Sequence, residues 1–337
     1  MKTTALPDPP SGKNGWPWQC PELPKPPGDA KNEAWPRITI VTPSFNQAQF
    51  LEETIRSVLL QGYPNLEYFV VDGGSTDGSV AILEKYSPWL DWWVSEKDRG
   101  QADALNKGFA RATGELWGYL NSDDVFLPGI LHAVSAEYTA VGDRSRFWIS
   151  YPVEDFGQCA PVVRLPQREY SLLLWVQRTS NIHQPGSFWS AELGRLAGPF
   201  DPSFDCTFDR KLFMQFLVLG ASPIPRTGRV ATRFRLHSES KTVKEHSDER
   251  ENRFVYECQL LSLEYARYLP GSARRAAADE ARQLLMDRAF QRAFGRQSRA
   301  ARLRELTELA RTCPSCVGTR FFWGMVRKVL GSRRVPG

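Results

Sequence analysis

The chain has 337 residues, 42% hydrophobic and 24% charged, an ordinary globular balance with length enough for one large core or two domains. No apolar run approaches the roughly 20 residues of a membrane-spanning helix. No continuous apolar stretch marks a secretory leader, and six scattered cysteines lack the density of a secreted disulfide scaffold, so a reduced, cytoplasmic setting is expected.

Residues 1–36 are rich in proline and turn formers and carry no periodicity, which predicts an extended or disordered arm. At Arg37 the pattern changes. Residues 38–41 are a β-branched run closed by Thr42-Pro43, hence a strand. Phe50, Ile55, Val58 and Leu59 recur at helical spacing until Gln61-Gly62-Tyr63-Pro64. Residues 68–71 form a second strand ending at Asp72, and the glycine-rich turn 73–78 leads into a helix through about Tyr86. A third strand at 92–94 and a third helix at 101–112 follow, the helix closed by Gly114. A fourth strand, 116–120, is halted by Asn121-Ser122-Asp123-Asp124.

This alternation predicts an α/β fold with a parallel, doubly wound sheet and right-handed crossovers. Each strand ends in a polar cluster: Ser44-Phe45-Asn46, then Asp72, then residues 96–99, then Asp123-Asp124. All four are expected on the carboxyl edge of the sheet, where such folds bind ligands. Adjacent carboxylates repel, so a hard divalent cation that also bridges phosphate oxygens suits Asp123 and Asp124; the segment alone equally fits an Asp-rich turn that caps the next helix. The later half is less regular. Strands are expected at 148–153, 162–165, Phe188-Trp189 and 230–236, with an amphipathic helix at 208–219.

From about Asn252 the chain turns helical, and past Gly271 strongly basic. From Ser272 onward 15 basic residues face 5 acidic ones, a net of +10, so the overall +5 leaves −5 for residues 1–271. No Gly-x-Gly-x-x-Gly follows the first strand and no Walker-type lysine loop appears, which disfavours a nicotinamide enzyme or a P-loop ATPase. Cys313-Pro-Ser-Cys316 has neither a second pair nor a βαβ context, so no zinc or redox role is expected.

Residues 41–46, 71–78, 98–108, 112–115 and 121–124, in that order, closely resemble the motifs of family 2 glycosyltransferases with the GT-A fold, over roughly 37–245. The resemblance implies a GT-A catalytic domain at 37–250, with a nucleotide-binding half (37–125) and an acceptor half (126–250). The arm at 1–36 precedes it, and a basic helical extension at 251–337 follows. It implies a nucleoside-diphosphate sugar donor held by Pro43, Ser44, Asn46, Asp72, Asp98, Arg99, Gln101, Asn106 and Asp123, with Asp72 on the base. It further implies Mn²⁺ or Mg²⁺ on Asp124 and Asp123, joined by His237 of the Arg235-x-His237 segment. Asn121 stands where many members carry another Asp, which makes the site less negative. Asp209 matches the catalytic base, with Asp201 and Asp205 as fallbacks.

The implied reaction is metal-assisted transfer with inversion to a hydroxyl of a saccharide or lipid-linked acceptor, in cell-surface polysaccharide or glycolipid synthesis. The mix of aromatics and cations at 320–330, with Arg333 and Arg334, suits peripheral association with an anionic membrane on its inner face. Nucleic acid is not expected as a partner. Two other readings stay open. A nucleotidyltransferase would show a glycine-rich loop with Arg or Lys after the first strand, which Ser44-Phe45-Asn46-Gln47 lacks. The other is a non-catalytic nucleotide-sugar-binding or interaction protein.

Overall fold

The computed structural model describes residues 6–19, 35–179, 182–241, 243, 253–294 and 298–331. The chain divides into two compact units, one of residues 1–170 and 181–240, the other of residues 171–180 and 241–337.

In the first unit, strand β1 (Ile38–Ser44) is buried along its whole length, as expected of a strand covered on both faces. Helix α1 (Ala48–Leu59) follows, then β2 (Leu66–Asp72), α2 (Ser79–Tyr86), β3 (Trp92–Ser95), α3 (Gln101–Phe109) and β4 (Leu116–Tyr119). β5 (Val125–Phe126) and α4 (Ile130–Ala140) come next, the latter a helix the sequence pattern does not announce. β6 (Trp148–Ser150), β7 (Val153–Gly157) and β8 (Val162–Arg164) precede β9 (Ser187–Ser190), α6 (Ala191–Ala197), α7 (Phe208–Val218), β10 (Ile224–Pro225) and β11 (Thr232–Leu236). The helix between β8 and β9, α5 (Leu172–Val176), belongs to the second unit.

Seven strands form one sheet in the order β10-β6-β9-β4-β1-β2-β3. β4, β1, β2 and β3 are mutually parallel, as the alternation of strands and helices requires. β9 runs antiparallel to both neighbours, so the doubly wound half gives way to a mixed half. The single strand expected at 148–153 is two. Pro152 has no N–H to continue a ladder, and after Tyr151 the chain leaves the large sheet for a second one, β5-β11-β7-β8. The core under β1, β2 and α1 is apolar and fully enclosed, with Ile38, Ile40, Leu51, Ile55, Val70 and Leu83 inaccessible to solvent.

Two expected boundaries move. Residues 6–19 of the proline-rich stretch are not an extended arm. Arg56 of α1, buried, donates to the carbonyls of Pro7, Pro17 and Trp18, and Trp16 Nε1 donates to Phe126 O at 2.6 Å. Residues 20–34 lie outside the described residues. Residues 171–180, assigned above to the acceptor half, join the helical unit. Trp175 and Val176 of α5 are buried, and Ser262 Oγ donates to Val176 O at 2.7 Å.

The second unit is helical, as expected: beyond α5, its main helices are Arg253–Tyr265, Gly271–Phe294, Arg299–Thr312 and Arg320–Gly331. Its own apolar cluster includes Leu285, Leu306, Leu309, Phe322, Met325 and Val329, and Cys313 and Cys316 are buried within it as free thiols.

Candidate active site

Strand register brings the polar clusters to one edge. Ser44 at the end of β1 pairs with Asp72 at the end of β2, and Asp72 with Ser95 at the end of β3. Val41 pairs with Tyr119, so β4 delivers residues 121–124 to the same carboxyl edge. The 112–115 motif sits elsewhere. Thr113 binds both oxygens of Glu67, which also accepts from Thr39, at the amino end of the sheet.

The first two loops are laced together. Asn46, held at φ 51, takes its N–H to Ser75 Oγ (2.7 Å) and its Oδ1 to the Thr76 amide (3.0 Å). Helix α1 lacks a side-chain cap from Gln47, and Asp77 of the second loop caps it instead, accepting from Ala48 N at 2.8 Å and from Ser79. Burial raises the Asp77 pKa, but these hydrogen bonds outweigh it and hold the carboxyl below its ordinary range. Asp72, with no exposed surface, accepts from Gly74 N, Ser75 N, Ser75 Oγ and Ser95 Oγ, so it shapes the loop beneath which it lies. The Ser44 hydroxyl at this edge is buried and has no protein partner.

The third loop packs on the second. A Cβ on Gly73 would stand 2.9 Å from an Asp98 carboxylate oxygen, and Gly74 has φ +83, so side chains are excluded where the two loops meet. Asp98 Oδ1 accepts from Gly100 N. Arg99 is mostly exposed and pairs with Asp103 one turn on, a weak surface arrangement. Asn106 does not face the donor loops as expected. Its amide spans the backbone of Phe200, donating to the carbonyl and accepting from the N–H, both at 2.8 Å. It is a clasp that positions the 200–209 segment.

Around the paired carboxylates a relay runs inward. Gln101 Nε2 donates to Asn121 Oδ1 (2.6 Å), and Asn121 Nδ2 donates to Asp124 Oδ2 (3.2 Å). Asp124 Oδ1 accepts from Arg235 N at 2.9 Å. Burial first, and the neighbouring Asp123 charge second, push the Asp124 carboxyl well above the ordinary carboxylate range. Asp123 Oδ2 lies 3.1 Å from His237 Nε2. The Arg235 side chain is sandwiched between Phe50 and Phe156 and binds Asp123 O and Glu53. Glu53 gives no sequence signal, since an acidic residue on an amphipathic helix reads as a solvated face.

The 200–209 segment completes the site. A Cβ on Gly100 would lie 3.9 Å from Asp205 Oδ1, which places this segment beside the third loop. Asp201 is spent on Lys211 (2.8 Å) and Ser203. Asp209 stands in the first turn of α7. The Tyr119 phenol, fully buried at the end of β4, is pushed far above its ordinary range by burial, then by the charges of Asp209 and Asp124. Both carboxylates therefore lie within electrostatic reach of one phenol. Gln184 was not foreseen. Its Nε2 donates to Tyr119 O at 2.9 Å and ties the turn before β9 to the same strand end.

A mixed sheet whose parallel half carries interlaced loops and a carboxylate pair at its carboxyl edge has the architecture of the GT-A fold. The model of "Glycosyl transferase family 2" matches residues 39–141. An uncharacterised glycosyltransferase of Mycobacterium tuberculosis is 31% identical over 186 residues, 53% of this chain and 68% of that protein. The chain belongs to glycosyltransferase family 2 and is an enzyme of that class. TuaG of Bacillus subtilis, named for teichuronic acid biosynthesis, is 39% identical over 93 residues, 26% of this chain and 36% of that one.

Among solved structures, Staphylococcus aureus TarS 1–349 in complex with UDP-GlcNAc superposes with a TM-score of 0.56 at 17% identity, covering 83% of this chain and 82% of that one. A longer TarS chain is matched over only 52% of its length. The mannosyltransferase PcManGT of Pyrobaculum calidifontis, in complex with GDP-Man and Mn²⁺, gives 0.51 at 20% identity and 89% of each chain. At these identities the likeness shows the fold.

Proposed function

We propose that this enzyme transfers a sugar from a nucleoside-diphosphate donor to an acceptor hydroxyl with inversion, Asp209 acting as the base. What supports this reading is that the 200–209 segment, clasped by Asn106, lies beside the third loop with Asp209 at the start of α7, and that Asp209 and Asp124 both act on the buried Tyr119 phenol. In this reading the Asp209 carboxylate, whose Oδ1 also accepts from Arg210 N, meets the attacking hydroxyl, while Asp124 lies where the laced donor loops end. In-line attack from the Asp209 side accounts for inversion, the carboxylate taking the hydroxyl proton as the new bond forms. The loops ending β1, β2 and β3 are the donor cradle, with Pro43, Ser44, Asn46, Asp72, Asp98, Arg99 and Gln101 at its edge and Asp123 at the ribose.

Among the described residues, no three His, Cys, Asp or Glu side chains form a ready-made metal cage. Mg²⁺ or Mn²⁺ needs none here, since such ions use one or two carboxylates and complete their shell with substrate phosphates and water. A buried Asp124 with its pKa driven up beside Asp123 is the electrostatic condition that a cation relieves. Asp123 and Asp124 would hold it, with the His237 imidazole adjoining Asp123. Bound there, a divalent ion would offset charge building on the leaving diphosphate.

The match to TuaG, named for teichuronic acid biosynthesis, supports an acceptor among the saccharides or lipid-linked intermediates of a cell-surface polysaccharide. The test is Asp209→Asn against a panel of nucleotide sugars that includes UDP-GlcNAc and GDP-mannose. The variant is expected to bind the preferred donor as wild type does while turnover falls about 10²- to 10⁴-fold. Unchanged turnover would remove Asp209 from the chemistry. A wild type that binds donor and never turns it over would favour the non-catalytic reading.

A further inference from the structure

The helix Arg320–Gly331 uses only one side to hold itself in place. Phe322, Met325 and Val329 are buried in the cluster they share with Leu306 and Leu309. The opposite side carries large apolar groups the core does not need: Trp323 is 51% exposed and Leu330 54%. Arg320, Trp323, Arg327 and Leu330 stand at i, i+3, i+7 and i+10, which places all four on one stripe of an α-helix. Phe321, 40% exposed, flanks the buried side beside Lys328. Trp323 touches the edge of the Phe322 ring, yet about half of its surface and of Leu330's faces water on this ridge, alternating with arginines.

We propose that this outward stripe is a docking surface for an anionic lipid bilayer, with Trp323 and Leu330 entering the headgroup–acyl boundary and Arg320, Arg327 and Lys328 meeting lipid phosphates. Charge complementarity selects the occupant. From Leu309 to Gly337 the chain has six basic residues and no acidic one, so nothing on this stretch opposes a negative surface. Mixed aromatic, aliphatic and cationic exposure distinguishes lipid from nucleic acid. A phosphodiester backbone would use the cations and leave Leu330 against water. Among the described residues no helix is long and apolar enough to cross a membrane, so the surface lies on the bilayer and does not span it.

The test is co-sedimentation of the full chain with phosphatidylcholine vesicles and with vesicles rich in phosphatidylglycerol, at low and high salt. Binding only to anionic vesicles, weakened by salt, is expected. Arg320→Gln/Arg327→Gln is expected to lower the partition coefficient roughly 30-fold. Trp323→Ser/Leu330→Ser is expected to lower it about tenfold or more. All four side chains reach solvent, so both variants are expected to melt with wild type, which separates lost docking from lost folding. Absent binding, equal binding to neutral vesicles, or binding untouched by both double variants would overturn the proposal. So would a concentration-dependent dimer abolished by Trp323→Ser, which would give the stripe to a second copy of the chain. Preferential binding to single-stranded DNA would overturn it as well.

Discussion

Replacing Asp124 by Asn is expected to stabilise the metal-free protein while abolishing transfer. The carboxylate has no exposed surface, a like-charged neighbour, and two hydrogen bonds, 2.9 Å from Arg235 N and 3.2 Å from Asn121 Nδ2. The guanidinium of Arg235 is committed to Asp123 O and Glu53, so among the described residues no side-chain cation is bonded to Asp124 itself. Asn keeps the acceptor for Arg235 N. Its new NH₂ is accommodated by turning over the Asn121 and Gln101 amides, whose 2.6 Å contact works in either polarity. What is removed is the cost of a buried charge, about 2 kcal/mol. In a unit of this size that raises Tm by about 4–8 °C.

Native burial raises the Asp124 pKa above its ordinary 3.8, so the folded state holds that proton more tightly than the unfolded chain. The stability it lends is complete below about pH 4 and is lost as pH rises through the raised native value. The Asn variant's advantage should therefore be small in acid and grow toward neutrality. Differential scanning fluorimetry with chelator, across pH, reads this directly. Adding Mn²⁺ with a nucleoside diphosphate should reverse the order by stabilising wild type alone. A metal-free Asn variant that melts below wild type at neutral pH would show that the carboxylate is already compensated, and would refute the argument.

Gly73→Ala puts a methyl 2.9 Å from the Asp98 carboxylate, so that side chain must swing aside and give up its hold on Gly100 N. Donor affinity by calorimetry is expected to fall about tenfold, with Tm nearly unchanged. Asp77→Ala leaves the Ala48 amide without its cap and is expected to cost about 1 kcal/mol in urea denaturation. Because hydrogen bonds overcome burial and hold the Asp77 carboxyl below its ordinary 3.8, that difference should persist at neutral pH and fade only in acid, as pH falls through the native value. Arg235→Met keeps contact with Phe50 and Phe156 but leaves Glu53 and Asp123 O without their donor, and a loss of about 2–3 kcal/mol is expected. Equal denaturation midpoints for this variant and wild type would count against the latch around the carboxylate pair.

The doubly wound half was legible because its signals are local. A β-branched run, a helical period and a polar strand end recur within about 30 residues, and each sits where the pattern predicts. Asp123 and Asp124 could be placed at a strand end from residues 116–124 alone. What escaped depends on partners distant in sequence. Asn106 meets Phe200 across 94 positions, and Gln184 meets Tyr119 across 65. Neither side chain differs from any other amide until the turn it pins is known. Residues 148–153 read as one apolar run, and Pro152, which divides it between two sheets, was the available clue. Residues 171–180 carry nothing in their composition to say that Trp175 and Val176 pack with helices beginning some 80 positions later.

The buried arginine of α1 redraws where this enzyme can be cut. Arg56 cannot shed its proton, and apart from the Tyr86 hydroxyl its acceptors are main-chain oxygens of Pro7, Pro17 and Trp18. A gene trimmed to open at the first strand would keep every strand and helix of the catalytic unit and still maroon a permanent cation in its interior. For anyone shortening the protein for expression or crystallisation, the functional start lies with three proline-region carbonyls, some twenty to thirty residues ahead of the sheet they support.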